Sequence, residues 1–401
     1  MKKTLYAFFL CTGATLQAQV GPEITSWLQN TTTTGYSGIV SNCQLVQYST
    51  NNVYVSCTCI PAYNIGPWNG NPNVATNQNF VYEIPRNPQQ NTGTATSIGL
   101  GHIGVWTNGV SIFNVSDAQS YNNQGIWNRN AYYWEGSGFD NCWGHPQQQG
   151  EYHHHVSPTC LYNQSDSTHH SPIVGYSLDG FPVYGAYAYA NANGTGGIKR
   201  MVPSYTLSTN TTRTNGPAVG GSYPNGCFIE DYNYTAGYGD LDARNGRFCV
   251  TPEYPNGIYC YFATLDNQLK PAFPYTFYGT YYGVVPAANT GPNSGHTTIS
   301  ESTTVYTSGT GVSTYGQEIL FEFYPNPAKD YGYIYVDPAS KNNMKMYLYN
   351  SLGEKVQSYE NIQPSISYTL DFTKLNSGIY YLHVTSQDGK DVQKQKIIIE
   401  R

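Results

Sequence analysis

Four of the nine histidines of this 401-residue chain fall between His145 and His155, in the stretch GHPQQQGEYHHHVSP. Imidazole titrates near pH 6.5, so at neutral pH most of these rings carry a free lone pair that can bind a metal or accept a proton. In an extended strand successive side chains alternate faces, which points His153 and His155 one way and Tyr152 and His154 the other. Two imidazoles roughly 7 Å apart on one face can share a metal ion. A third ligand has to come from elsewhere. His145 in NCWGHP is the first candidate, and Asp140, His169 and His170 are the others. A site made mostly of imidazoles suits zinc or copper ahead of iron or nickel. Hydrogen-bonded structural histidines and metal-free acid/base catalysis compete for the same residues. His154 reads as solvated or as a core neighbour, and His102, beside Gly101 in a strand, as structural.

Other polar clusters carry weaker signals. Asp179 in YSLDGFPVYG reads first as a turn residue that caps its own hairpin, and second as a partner orienting a ligating imidazole. The segment GDLDARNGRFCVTPEYPNG offers Asp240, Asp242, Arg244, Arg247 and Glu253. The two arginines interrupt any calcium-loop pattern, so an internal ion-pair network is the expectation there. No G-x-S-x-G, H-E-x-x-H or phosphate-binding loop occurs, which leaves familiar hydrolase and nucleotide chemistry without support. Thirty-nine tyrosines and six tryptophans fit strand positions with hydroxyls reaching the surface. They also keep a metal-free module that binds glycan or protein as the alternative function. A pH-sensitive structural protein is the third reading, and rests on imidazole titration alone.

The elements that must position these residues are strands. Short Val/Ile/Tyr/Thr runs alternate with Gly, Pro and Asn, as in NNVYVSCTCIP and IGVWTNGVSIFN, and helical periodicity is nearly absent. Asn108-Gly109 between two apolar runs predicts a type I′ hairpin. The fold class is mainly β, with a large disulfide-bonded domain and a small C-terminal Ig-like sandwich.

Charge divides the chain. Residues 19–285 hold eight Lys/Arg against fourteen Asp/Glu, and residues 319–401 nine against nine, with eight of the lysines in the chain's second part. Neither part is basic enough for nucleic acid. Between them, residues 286–318 are rich in Ser, Thr, Gly and Asn and read as an extended linker, with His296 in solvent. The first 18 residues have the charged, apolar and small-residue order of a secretory signal, and no later run approaches the roughly 18 apolar residues of a membrane helix. Export makes disulfides the default for Cys43, Cys57, Cys59, Cys142, Cys160, Cys227, Cys249 and Cys260. The Cys142/Cys160 pair brackets the histidines and is the first to test.

Two resemblances sharpen this picture. The tail carries YPNP at Tyr324–Pro327, then SLGEKV, L-x-S-G-I-Y-Y and a Lys-rich last strand. It resembles the type A C-terminal sorting domain of the type IX secretion system of Bacteroidetes, which implies export across both membranes, the type IX machinery as a partner, and a secreted or cell-surface product. The segments GHIGVWTNGVSIFN, FDNCWGHPQQQGEYHHHVSP, HSPIVGYSLDGFPVYG and LDARNGRFCVTPEYPNGIYCYFAT, spanning 98–285, are similar to the YHYH family. This copy reads Y-H-H-H, with His154 where the motif has its second tyrosine. The resemblance implies a fold and a candidate site without implying a reaction, so whether the chain is an enzyme stays open here.

Overall fold

The computed structural model describes residues 20–286, 290–292, 294–307, 321–336, 343–364, 366–386 and 392–400. The leader expected at 1–18 lies outside them, and so does Asp388-Gly389, one of the three pairs, with Leu352-Gly353 and Ser377-Gly378, at which the tail's sequence places turns between about seven short strands. Among the described residues the chain is mainly β, with only short helical turns. No helix among them is long and apolar enough to cross a membrane.

An eight-stranded mixed sheet organises the large domain. Its order is Gly246–Cys249, Ile258–Phe262, Pro182–Tyr184, Ile173–Ser177, His102–Trp106, Ser111–Phe113, Tyr152–His154 and His145–Pro146. The central strands are buried along their whole length, so they read in the sequence as continuous apolar runs without a polar face. Small residues permit the close strand approach at the centre. A Cβ on Gly104 would lie 2.6 Å from the Tyr176 carbonyl oxygen. The histidine strands form one edge of this sheet.

The hairpin at Asn108-Gly109 forms between His102–Trp106 and Ser111–Phe113, but it is not the expected type I′ turn. Gly109 alone has positive φ, at 79°. The Trp106 N–H donates to Val110 O, and the Gly109 N–H to Trp106 O. That is a three-residue loop closed by a left-handed glycine, the commonest alternative to the two-residue turn.

A second sheet orders Thr304–Tyr306, Cys43–Tyr48, Asn52–Cys57 and Phe80–Pro85. Its first strand comes from the segment read as a linker. Val46, Gln47 and Tyr48 pair with Tyr306, Val305 and Thr304, because β-branched Thr and Val suit an edge strand even without a core of their own. His296 is exposed as expected, yet its ring packs 5.2 Å from that of Phe80.

Disulfide bonding is sparser than the cysteine count suggests. Cys142 and Cys160 are joined, with Cα atoms 5.2 Å apart. Cys43, Cys57, Cys59, Cys227, Cys249 and Cys260 are free and buried. Several act as small apolar side chains with weak S–H donors: Cys57 Sγ reaches Gly109 O at 3.1 Å and Cys59 Sγ reaches Tyr152 O at 3.1 Å.

The C-terminal part has seven described strands in two sheets. Phe321–Tyr324, Tyr331–Val336 and Ser367–Asp371 form one, and Lys355–Ile362, Met344–Asn350, Gly378–Ser386 and Val392–Ile399 the other. Met346, Leu348, Leu370, Leu382 and Ile397 fill the space between.

Glu253 of the large domain accepts a hydrogen bond from Tyr184 Oη at 2.7 Å. Burial pushes its carboxyl up to about 7, against the opposing hydroxyls of Tyr184, Tyr333 and Thr251. The native state therefore binds more protons than the unfolded chain between the ordinary glutamate value, 4.5, and about 7. Stability falls as pH rises through that window and stays at its lower level above it. At about 1.4 kcal/mol per unit the effect has a ceiling of about 3 kcal/mol. Glu253→Gln, which cannot ionise, is expected to raise the thermal midpoint by a few degrees near pH 8 and to leave it nearly unchanged near pH 4. Equal shifts at both pH values would show that ionisation is not the cause.

Candidate metal centre

Strand pairing assembles the three histidines. His145 lies directly opposite His153 in an antiparallel pair, and residues opposite each other on adjacent strands project to the same face. His155 follows His153 by two positions and returns to that face. One ring nitrogen from each of His145, His153 and His155 falls within 4.8 Å of the others. All three are buried. The Phe113 ring stacks on His153 at 3.9 Å, and Phe139 lies 4.8 Å from His145, so the rings are fixed by aromatic walls.

Backbone carbonyls set the tautomers. His153 Nδ1 sits 3.2 Å from Glu151 O, and His155 Nδ1 is hydrogen-bonded to Asn114 O. A carbonyl can only accept, so both Nδ1 atoms carry the proton and both Nε2 atoms of the neutral rings present bare lone pairs. Those two Nε2 atoms are 3.1 Å apart. Glu135 adds a third acceptor group: its Oε2 lies 3.1 Å from His155 Nε2 and 3.5 Å from His145 Nε2. Three ring nitrogens and a carboxylate oxygen, all able to accept, thus converge on one point.

Electrostatics keeps two of the three rings, His145 and His153, neutral. Burial, then the neighbouring His155, pulls His145 down to about 4. Burial and the charges of His145 and His155 hold His153 well below the ordinary histidine value. At Glu135 burial works upward, but the His155 hydrogen bond and the charges of His155, His145 and Arg129 outweigh it and leave the carboxyl lowered. His145 and His153 therefore face the Glu135 carboxylate as neutral imidazoles at neutral pH.

Glu135 is the residue that sequence reasoning missed. It follows the short helix Ala131–Trp134, and its N–H caps that helix by bonding Ala131 O. No periodicity marks it. The available signal is that it is the only carboxylate between Asp117 and Asp140. Its side chain is 30% exposed, which makes it the solvent-facing edge of the cluster.

Two networks hold the cluster from behind. The Glu151 carboxylate accepts from Ser111 Oγ and from Gln147 Nε2 at 2.7 Å, and meets His102 Nε2 at 2.5 Å. His102, read from the sequence as structural, is buried in this network. On the other side, Asn114 separates His155 from a polar cleft of 500 Å³ that Asp117, Asn128, Glu230 and Tyr278 help to line. Burial pushes the Asp117 carboxyl up to about 6, opposed by the Gln119 N–H and reinforced by Glu135.

The remaining candidates lie elsewhere. Asp140 is on the opposite face of the strand and accepts from Gly66 N, Trp68 Nε1, Cys142 N and Tyr152 Oη at 2.8–3.1 Å. It braces the loop that delivers His145 and does not join the ligand set. His169 pairs with Asp166 at 2.9 Å near the C-terminal part. His170 is buried against Tyr184 and Tyr189. Asp179 accepts from Phe181 N, as its turn role requires, and also from Tyr261 Oη and Gly283 N; none of these partners is a histidine. The expected ion-pair network reduces to Lys199–Asp240 at 2.7 Å. Asp242 instead accepts from the N–H groups of Arg244 and Gly246, and Arg247 donates to the Tyr189 carbonyl. His154 is fully buried.

Known proteins bear on both parts of the chain. The family described as YHYH protein matches residues 81–278, and the one described as secretion system C-terminal sorting domain matches residues 322–400. No curated protein matches at a significant level. Among solved structures, the chain is similar at 11% identity and a TM-score of 0.20 to PorZ, a surface component of the type IX secretion system of Porphyromonas gingivalis. That match covers 89% of this chain and 59% of PorZ, and at so low a score it carries no argument about fold.

Proposed function

With residues 81–278 a YHYH domain and residues 322–400 a type IX sorting domain, we propose that this chain is an exported YHYH protein that works through one zinc or copper ion held by His145, His153 and His155. The sorting domain indicates a secreted or cell-surface location and the type IX machinery as a partner. The observation that carries the metal reading is the convergence of bare acceptors. Two Nε2 atoms 3.1 Å apart, beside a carboxylate oxygen, gather negative potential at one point that a bound cation offsets. Tetrahedral zinc with bonds of about 2.0–2.1 Å needs nitrogens about 3.4 Å apart, beside the 3.1 Å between His153 and His155 and the 4.8 Å that bounds all three.

Three imidazoles leave a tetrahedral ion one open position, and the bound metal supplies Lewis acidity there. The chain's own residues do the rest. Glu151 O and Asn114 O keep the Nδ1 protons in place, Phe113 and Phe139 fix the rings and exclude water, and Glu135 Oε2 stands at the solvent edge. Glu135 either completes the ligand set or holds a proton for a group bound at the open position.

Metal stoichiometry of the full-length untagged chain tests this. After incubation with zinc or copper and exhaustive dialysis, about one ion per chain is expected, and the thermal midpoint should rise with free metal concentration because the ion binds the folded state. Retention of no metal would overturn this reading and favour the metal-free glycan- or protein-binding module.

A further inference from the structure

The strand Tyr331–Val336 is buried on both faces. Ile334 and Val336 belong to the core of the sorting domain. Tyr333 and Tyr335, with Tyr324 of the adjacent strand, belong instead to the apolar core of the large domain. Alternation along a strand sends successive residues to opposite faces, so one strand serves two cores at once. A freestanding two-sheet domain needs only the inner one and exposes the outer. Here the outer face is aromatic and closed: Tyr333 is 0%, Tyr335 3% and Tyr324 5% exposed.

Polar contacts frame this aromatic patch. Tyr162 and Ser367 form a parallel bridge, and the Asn163 N–H donates to Ser367 O at 3.3 Å. The His169 ring lies 6.0 Å from that of Tyr331. Glu253 sits where Tyr184 of one domain and Tyr333 of the other converge. A buried aromatic centre with a polar rim is the anatomy of a stable association between folded units.

We infer that the YHYH domain carries a docking face for its own sorting domain, and that this contact outlasts the covalent link. Severing the chain between the two parts does not by itself free the tail. The seating also decides what the secretion machinery can reach. The three-stranded sheet is covered by the YHYH domain, whereas Lys355–Ile362, the edge strand of the other sheet, is exposed over most of its length. Recognition therefore falls to the four-stranded sheet and its edge.

The test uses the full chain with a site-specific protease sequence inserted within residues 308–320. After complete cleavage, verified on a denaturing gel, size-exclusion chromatography with light scattering reads the particle mass. One species with the mass of the uncut chain is expected. Two separate species, a large and a small fragment, would overturn the inference. Tyr335→Asp in the same background is expected to release the tail on cleavage, since seating a carboxylate in that buried aromatic patch costs its hydration. Continued co-elution of a folded Tyr335→Asp protein would overturn the assignment of the tyrosine face as the contact. If Tyr335→Asp does not fold, the mass of the cleaved unsubstituted chain decides the matter alone.

Discussion

Replacing His153 by alanine is expected to lower zinc or copper affinity by at least about a hundredfold, since loss even of a group that only orients a ligand costs 10–100-fold. His153 sits at the centre of the cluster, opposite His145 in register and two positions from His155. Without it the remaining nitrogens lose both a donor atom and the ring that spaces them. Its neighbour supplies the control. The His154 ring is fixed between the Trp143 carbonyl, 2.8 Å from Nδ1, and the Tyr63 hydroxyl, 3.1 Å from Nε2. His154→Ala leaves a cavity, takes the ring from the Trp143 carbonyl and leaves the Tyr63 hydroxyl with Asn108 Nδ2 at 3.4 Å alone, a cost of about 3 kcal/mol, while the metal ligands stay in place. Chelator competition and urea unfolding on both variants should thus separate: affinity falls in one, stability in the other. Undiminished metal affinity in a folded His153→Ala protein would sink the three-histidine site.

The alternation of faces around Tyr152–His155 was legible from residue order because period-2 geometry is local. His145 as the third member was legible as a candidate, since a short antiparallel return needs few intervening residues. What sequence could not supply was long-range. His154 occupies the place of the motif's second tyrosine, and a phenol from Tyr63, 91 residues away, meets its ring. Glu135 reaches the site through the helix Ala131–Trp134, whose packing no periodicity announces. The cysteines misled for a different reason. Compartment chemistry permits disulfides, but among the described cysteines only Cys142 and Cys160 are bonded, and most of the others fill tight strand contacts. The tail's strands were readable from their turns, whereas the burial of Tyr333 and Tyr335 against the large domain was not, because a tyrosine on an outer strand face looks the same in sequence whether water or protein covers it.

Asp140→Ala is expected to destabilise the fold by about 3–5 kcal/mol and to weaken metal binding without removing a ligand. Five groups donate to this one carboxylate: the N–H groups of Gly66, Cys142 and Gly144, the indole of Trp68 and the hydroxyl of Tyr152. Hydrogen bonds to a charged acceptor are the stronger kind, and donors orphaned in a buried site each cost about 1–3 kcal/mol before relaxation. Relaxation is restricted here. The Cys142–Cys160 bond tethers the loop, Trp143 holds a left-handed φ of 67°, and a Cβ on Gly144 would fall 2.4 Å from the Tyr152 hydroxyl. The next residue is His145, so slack in this loop passes directly to a ligand. Asp140→Asn keeps one acceptor oxygen but turns an amide N–H group toward donors, and should fall between alanine and the native residue in both measurements. Urea unfolding gives the first effect and chelator competition the second, where a loss of about tenfold is expected by analogy with other orienting groups. A large stability loss with unchanged affinity would instead show that His145 is positioned by its pairing with His153 and by the Pro146–Tyr152 pair, independently of the loop that Asp140 braces.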